Sequence, residues 1–257
     1  MRNPDTGLDI FFAERESIGL EELQSTASFL IRRDRKYIVP RALLKSVLTS
    51  IEGNARVLEI NNKRSFVYES SYFDTEDLRS YFGALRQRPD RFKVRVRTYC
   101  DSGLNFLEAK TRDHRGRTVK QRINRGELSA PELDQSERDW LEYVDQIGPA
   151  AASLTHRITT RYLRETLVLP SGDGRVTIDH DVAFSSPEGE SVLIPSIAIL
   201  ESKGSGPPTT VDRVLWLHGI RPVAISKFGC GMSLLESNLP SNRWHRVRGY
   251  LASAALC

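Results

Sequence analysis

Most of the chain from Phe29 onward alternates apolar and polar side chains with a period of two, the mark of half-buried strands, and shorter stretches with helical spacing interrupt it. FLIRRDRKYIV predicts a strand closed by Pro40, with Arg32, Asp34 and Lys36 on one face and Ile31, Arg33, Arg35 and Tyr37 on the other. A short helix from Arg41 follows, then a hairpin of VLEI and SFVYESSYFDT around an NNKR turn, then a helix from Thr75. RFKVRVRTY sets Arg91, Lys93, Arg95 and Arg97 on one face and Phe92, Val94, Val96 and Thr98 on the other. In LNFLEAKTR one face holds Leu104, Phe106, Glu108, Lys110 and Arg112, and in RTVKQRI Lys120 and Arg122 share a face with Thr118. A capping box at Ser129–Glu132, with Pro131 inside it, predicts a helix running to Ile147. Strand patterns resume in RITTRYLRETLVLP, GRVTIDHDVAF and SVLIPSIAILESK. TTVDRVLWLH reads as a helix, and PVAISKF, strand-like and carrying Lys227, precedes a last helix around Met232–Ser237.

Eight to ten strands at hairpin spacing against four to six short helices describe an α+β fold, mainly antiparallel β, with the sheet closed or strongly curved and helices around it. The expected organisation is an acidic lead over residues 1–27, one large domain over 28–237, and a basic tail over 238–257 that forms a short helix for a membrane surface or a partner, or simply docks.

Composition changes this picture little: 257 residues with 39% apolar and 27% charged side chains exclude disordered and fibrous classes. Cys100, Cys230 and Cys257 are too scattered for a disulfide framework or a zinc ribbon. No apolar run approaches the roughly 20 residues of a membrane helix, and the N-terminus carries acids where a signal peptide carries bases, so a cytoplasmic location is expected. Charge changes the picture more. The net +4 conceals residues 28–125, which hold 23 bases against 11 acids. Arginine outnumbers lysine 29 to 8, yet Lys36, Lys93, Lys110, Lys120, Lys203 and Lys227 all fall in strand-like segments. A compact ammonium is a point charge suited to phosphate.

One basic strand face reads as a solvated surface with ordinary ion pairs. Five or six such faces favour a closed barrel that turns its bases inward around a wet bore and needs a polyanion as counter-charge. A nucleic-acid patch competes, but interleaved exposed aromatics and a recognition helix are not evident, and no nucleic-acid partner is expected. Glu108-x-Lys110, Glu201-x-Lys203 and Asp34-x-Lys36 each set a carboxylate beside an ammonium, a pairing that can take a divalent cation and a phosphate oxygen together. No phosphate-binding GxxxxGK[ST] loop, GxSxG elbow or paired histidine spacing appears.

The ordered set RRDRKYIV, SSYFDTEDLRSY, RFKVRVRTY, FLEAKTRDHRGRTVKQR, TTRYLRET, VTIDHDVAF, AILESK and ISKFG resembles the VTC-type polyphosphate polymerase domain, within the triphosphate tunnel metalloenzymes or CYTH-like proteins. The resemblance implies a tunnel of eight antiparallel strands binding a triphosphate and a divalent metal, Mn or Mg. It implies phosphate contacts at Lys36, Arg95, Arg97, Lys110, Lys120, Arg122, Arg164, Lys203 and Lys227, metal binding at Glu201, and a helper at Glu108. Of these, Lys36, Arg95, Arg97, Lys110 and Lys203 are placed at the reaction; Lys120, Arg122, Arg164 and Lys227 bind substrate, joined by Arg32 and Lys93 from their strand faces. The implied activity is ATP-dependent polyphosphate synthesis with ADP released. A metal-dependent triphosphatase and a non-catalytic polyphosphate binder remain open. Asp34 stands where the family usually has Glu, and 27 residues leave no room ahead of the tunnel for a phosphate-sensing domain.

Overall fold

The computed structural model describes residues 6–26, 33–51, 55–126, 131–170 and 174–256. The strands are β1 (Ser17–Ile18), β2 (Arg33–Pro40), β3 (Arg56–Leu58), β4 (Phe66–Asp74), β5 (Lys93–Tyr99), β6 (Leu104–Arg112), β7 (Thr118–Gly126), β8 (Thr155–Val168), β9 (Arg175–Ser185) and β10 (Ser191–Gly204). The helices are α1 (Thr6–Ala13), α2 (Leu20–Thr26), α3 (Arg41–Thr49), α4 (Arg79–Leu85), α5 (Gln135–Glu142), α6 (Thr210–Leu217), α7 (Lys227–Leu235) and α8 (His245–Ser253). Eight strands hydrogen-bond in the order β2-β10-β9-β8-β4-β5-β6-β7, while β3 pairs with β8 and β1. The fold is therefore α+β and mainly antiparallel. The closure expected of the sheet is not made by hydrogen bonds, since among the described residues no pairing joins β2 to β7. Strand β7 is exposed from Thr118 to Arg122 and carries Lys120 and Arg122, charges that blunt a sheet edge.

The chain divides into two compact units. The first comprises Met1–Phe66, Leu163–Val182 and Ile194–Ala224; the second comprises Val67–Tyr162, Ala183–Leu193 and Ile225–Cys257. In the first unit, α3 turns Leu44, Val47 and Leu48 onto a core with Tyr37 and Val39 of β2, Ala198 and Leu200 of β10, and Phe11 and Phe12 of α1. Helix α6 opens with a capping box between Thr209 and Asp212. Asp212 also accepts from Arg35 at 3.0 Å and from Tyr37 at 2.7 Å, which fixes the Arg35 face of β2 against α6 and leaves Lys36 on the opposite face.

In the second unit, Val94, Val96, Leu107 and Ala109 of β5 and β6 pack on Leu133, Leu141, Val144 and Ile147 in and around α5. Period-two alternation then requires the bases of β5 and β6 to occupy the other face. Asp74, fully buried at the end of β4, accepts from the backbone N–H groups of Thr75, Ser80 and Tyr81, each at 2.8 Å, so the YFDT motif sets the start of α4.

Four expected elements differ. Asn61 and Asn62, both at positive φ, turn the chain as NNKR predicts, but β3 leaves for β8 instead of forming a hairpin with β4. Leu78 at φ +56° delays α4 to Arg79. Ser129 and Ala130 lie outside the described residues, and α5 is capped by Asp134, whose carboxylate accepts from the Glu137 N–H. Lys227 is on no strand: Ser226 accepts from the Gly229 N–H and starts a helix there. Helix α7 is buried on nearly every side, and a Cβ at Gly229 would lie 2.3 Å from the Trp244 ring, so only glycine permits this seating.

Among the described residues no helix is long and apolar enough to cross a membrane.

Candidate anion-binding site

The register of β5, β6 and β7 sets like charges side by side. Lys93 lies opposite Lys110, which lies opposite Lys120; one row along, Arg95 faces Glu108, which faces Arg122. The next row places Ser70 of β4 against Arg97, and Tyr72 lies against Arg95. With Arg112 at the end of β6, seven bases thus share one sheet face with a single acid, Glu108, among the described residues of this ladder. Directly opposed like charges destabilise a sheet, so this face is poised for an anion.

Glu108 is 2% exposed. Its Oε2 accepts from Arg95 Nε at 2.7 Å, and Lys120 Nζ lies 2.7 Å from Oε1. Burial works to raise the carboxyl pKa, but Arg95, Arg97 and Lys120 prevail and bring it down to about 2. Both carboxylate oxygens of Glu108 are thus engaged, Oε2 by Arg95 and Oε1 by Lys120. Arg97 Nε and Ser70 Oγ are buried with no hydrogen-bond partner. Unsatisfied polar atoms beside uncompensated charge indicate where a ligand's oxygens belong.

Aromatic rings support the same face. Tyr72 packs on Phe228 with centroids 5.3 Å apart, Lys93 Nζ lies 5.5 Å from the Phe228 ring, and Lys93 donates to Ser226 Oγ at 3.2 Å. Lys227 Nζ sits 4.4 Å above the Tyr162 ring. Burial pushes the Tyr72 phenol up, yet Arg95, Lys93 and Arg97 outweigh it and lower the pKa to about 7. Sequence reasoning missed Tyr72 because an aromatic in a buried strand looks like core; its place two residues after Ser70 on the alternation was the available signal.

The first unit holds the remaining candidates. Lys36 lies opposite Glu201 and Lys203 opposite Asp34 across β2 and β10. Lys203 Nζ lies 3.2 Å from Glu201 Oε2 and 3.4 Å from Thr177 Oγ1. Burial lowers the Lys203 pKa to about 8 in spite of Glu201. Arg164 grips Asp179 with two hydrogen bonds of 2.5 and 2.8 Å. Thus Lys93, Arg95, Arg97, Glu108, Lys110, Lys120 and Arg122 come together on one ladder, with Lys227 in the same unit. Lys36, Arg164, Glu201 and Lys203 belong to the other unit. Arg32 lies outside the described residues.

Neither unit offers a preformed cage for a metal: among the described residues no three His, Cys, Asp or Glu side chains are placed to hold a metal ion, and where His180 meets Glu165 and Asp181 they bond to one another instead. The carboxylates present fit a hard cation that takes most of its ligands from water and phosphate and one from a carboxylate.

The chain belongs to the VTC domain family, whose model matches residues 31–236. No curated protein matches the chain. It is similar to a candidate adenylate cyclase from Vibrio parahaemolyticus at 14% identity and TM-score 0.42, over 76% of this chain and 94% of that one. It is also similar to a candidate adenylyl cyclase from Hippeastrum, described as having a dominant triphosphatase activity, at 14% identity and TM-score 0.42, over 80% of this chain and 96% of that one. The PH1012 protein from Pyrococcus horikoshii is similar at 13% identity and TM-score 0.37, over 74% and 88%.

Proposed function

We propose that this protein is an ATP-dependent polyphosphate polymerase that binds the triphosphate of ATP with its basic strand faces. The reading rests on the β5–β7 ladder, where seven bases share one face with one acid among the described residues while Arg97 Nε and Ser70 Oγ stay buried without hydrogen-bond partners. Family membership supports a substrate of triphosphate type. In the reaction, an oxygen of the growing chain's terminal phosphate attacks the γ-phosphorus of ATP, a new P–O–P bond forms, and ADP leaves with the electrons of the broken bond. Such a transfer asks for positioning and charge neutralisation and makes little demand for a protein nucleophile. Arg95, Arg97 and Lys110 would steady the charge on the transferred phosphoryl group, with Lys93, Lys120 and Arg122 holding the rest of the phosphate train. Lys36, Lys203 and Arg164 would contribute from the first unit, and Lys227 from the second.

A divalent cation, Mn or Mg, would take a carboxylate ligand from Glu201 in the first unit, with Glu108 the candidate helper in the second, and would neutralise phosphate oxygens. The closed eight-stranded tunnel belongs to this reading, and it would keep water from the reacting group. The test is to incubate the purified chain with ATP and Mn or Mg and to follow ADP, free phosphate and long-chain polyphosphate together. ADP with polymer is expected. Free phosphate without polymer would replace the polymerase with a triphosphatase, and tight triphosphate binding without turnover would leave a polyphosphate binder.

A further inference from the structure

A second basic feature lies outside the β5–β7 ladder. Arg79, Arg86, Arg88 and Arg91 line a cavity of about 230 Å³ at the end of α4, over Phe82 and Phe92. Asp77 and Asp90 complete its lining, so four guanidinium groups face two carboxylates, and Thr75 Oγ1 already donates to Asp77 at 2.5 Å. The cavity is braced. Arg91 donates to the Gln87 and Arg88 carbonyls at 3.2 and 2.5 Å, and Arg86 lies 4.9 Å from the Phe82 ring. Gly83 lets the Arg91 strand approach, since a Cβ there would stand 3.2 Å from Arg91 Cβ.

Its placement matters as much as its charge. Arg91 lies two residues before Lys93, just ahead of β5, and Arg112, at the end of β6, lies two residues after Lys110, the register partner of Lys93. The two are near enough for Arg112 to act on Arg91 electrostatically. Basic side chains therefore run on from the ladder to the cavity within the second unit. The cavity is small and charged, with arginine forks suited to paired phosphate oxygens.

We infer that this arginine cavity is an accessory site for linear polyphosphate, engaging phosphates of a chain that extends beyond the ladder past Arg91 and Arg112. The inference rests on the reading of the ladder as a triphosphate site. It adds to that site a preference for long chains through two linked contacts on one ligand.

The test compares tripolyphosphate with long-chain polyphosphate as ligands of the full chain and of an Arg86→Ala, Arg88→Ala double variant. Both side chains are exposed, and an unchanged melting temperature identifies a folded variant. The expected result is a roughly tenfold or larger loss of affinity for long-chain polyphosphate, with tripolyphosphate binding within about twofold of the parent. An unchanged long-chain affinity, or an equal loss for both ligands in a folded variant, would overturn the accessory site. Failure of the parent chain to bind tripolyphosphate, with the variant still losing long-chain affinity, would keep the cavity as a polyphosphate site and remove the triphosphate reading of the ladder.

Discussion

The same alternation of bases on strand faces has opposite electrostatic outcomes in the two units. In the first, Lys36 and Lys203 share their strands with Asp34 and Glu201, the cross-strand register sets acid against base, and Arg164 of β8 clamps Asp179 of β9. In the second, the β5–β7 ladder sets seven bases on the face of one acid, Glu108, among the described residues. A base with its own carboxylate is held in place but partly spent, whereas a base without one is costly until an anion arrives. Basic strands alone do not define a phosphate site; the missing counter-charge does.

Removing the last acid from the ladder should have the largest effect. Glu108→Gln leaves the half-buried Arg95 and the exposed Lys120 beside an uncharged amide, and we expect a loss of stability of about 3 kcal/mol, the usual scale for breaking a buried ion pair, here that of Glu108 with Arg95. Inorganic tripolyphosphate should restore much of it by supplying the absent negative charge. The pH dependence has a definite sign. The folded pKa of Glu108, about 2, lies below its ordinary 4.5, so the stabilisation is complete above the ordinary value and is lost as the pH falls through about 2. Urea unfolding of parent and variant, with and without tripolyphosphate, checks this; a variant as stable as its parent would show that the ladder tolerates its own repulsion.

How much of this contrast was legible in the sequence depended on which interactions are local. The faces of RFKVRVRTY and LNFLEAKTR followed from period two alone, and the structure keeps Arg95, Arg97, Glu108 and Lys110 on them. Helices α3 and α6 were equally plain, because apolar spacing and a capping residue are short-range signals. Partner choice was not. Nothing near NNKR says that β3 will pair with β8, and nothing near Arg164 says that it will close on Asp179. Two misread boundaries had visible rivals: Asp134 with Glu137 satisfies the same capping rule as Ser129 with Glu132, and Ser226 could have been read as the cap that puts Lys227 at a helix start.

Next in size is the contrast between a spent and an unspent arginine. Arg97→Ala removes a guanidinium whose Nε has no partner, and should cost tripolyphosphate affinity about 2 kcal/mol, near thirtyfold. Arg164→Ala removes one already bonded twice to Asp179 and should cost only a few-fold. Calorimetric titration of both variants would invert the comparison of the two units if Arg164→Ala proved the more damaging.

The smallest effect separates the units by pH. Each has a phosphate-site candidate or neighbour moved toward neutrality: the Tyr72 phenol to about 7 in the second and the Lys203 ammonium to about 8 in the first. Raising the pH through the first value creates a phenolate among Arg95, Lys93 and Arg97, an internal anion that competes with the ligand. Raising it through the second discharges Lys203 and removes a cation. Both weaken phosphate binding, so tripolyphosphate affinity should fall in two steps of a few-fold each between roughly pH 6 and 9. Tyr72→Phe should erase the lower step and Lys203→Arg the upper one. A lower step that persisted in Tyr72→Phe would mean that the ladder's cations do not hold the phenol near neutrality, and the uncompensated charge assigned to that face would be smaller than its residues imply.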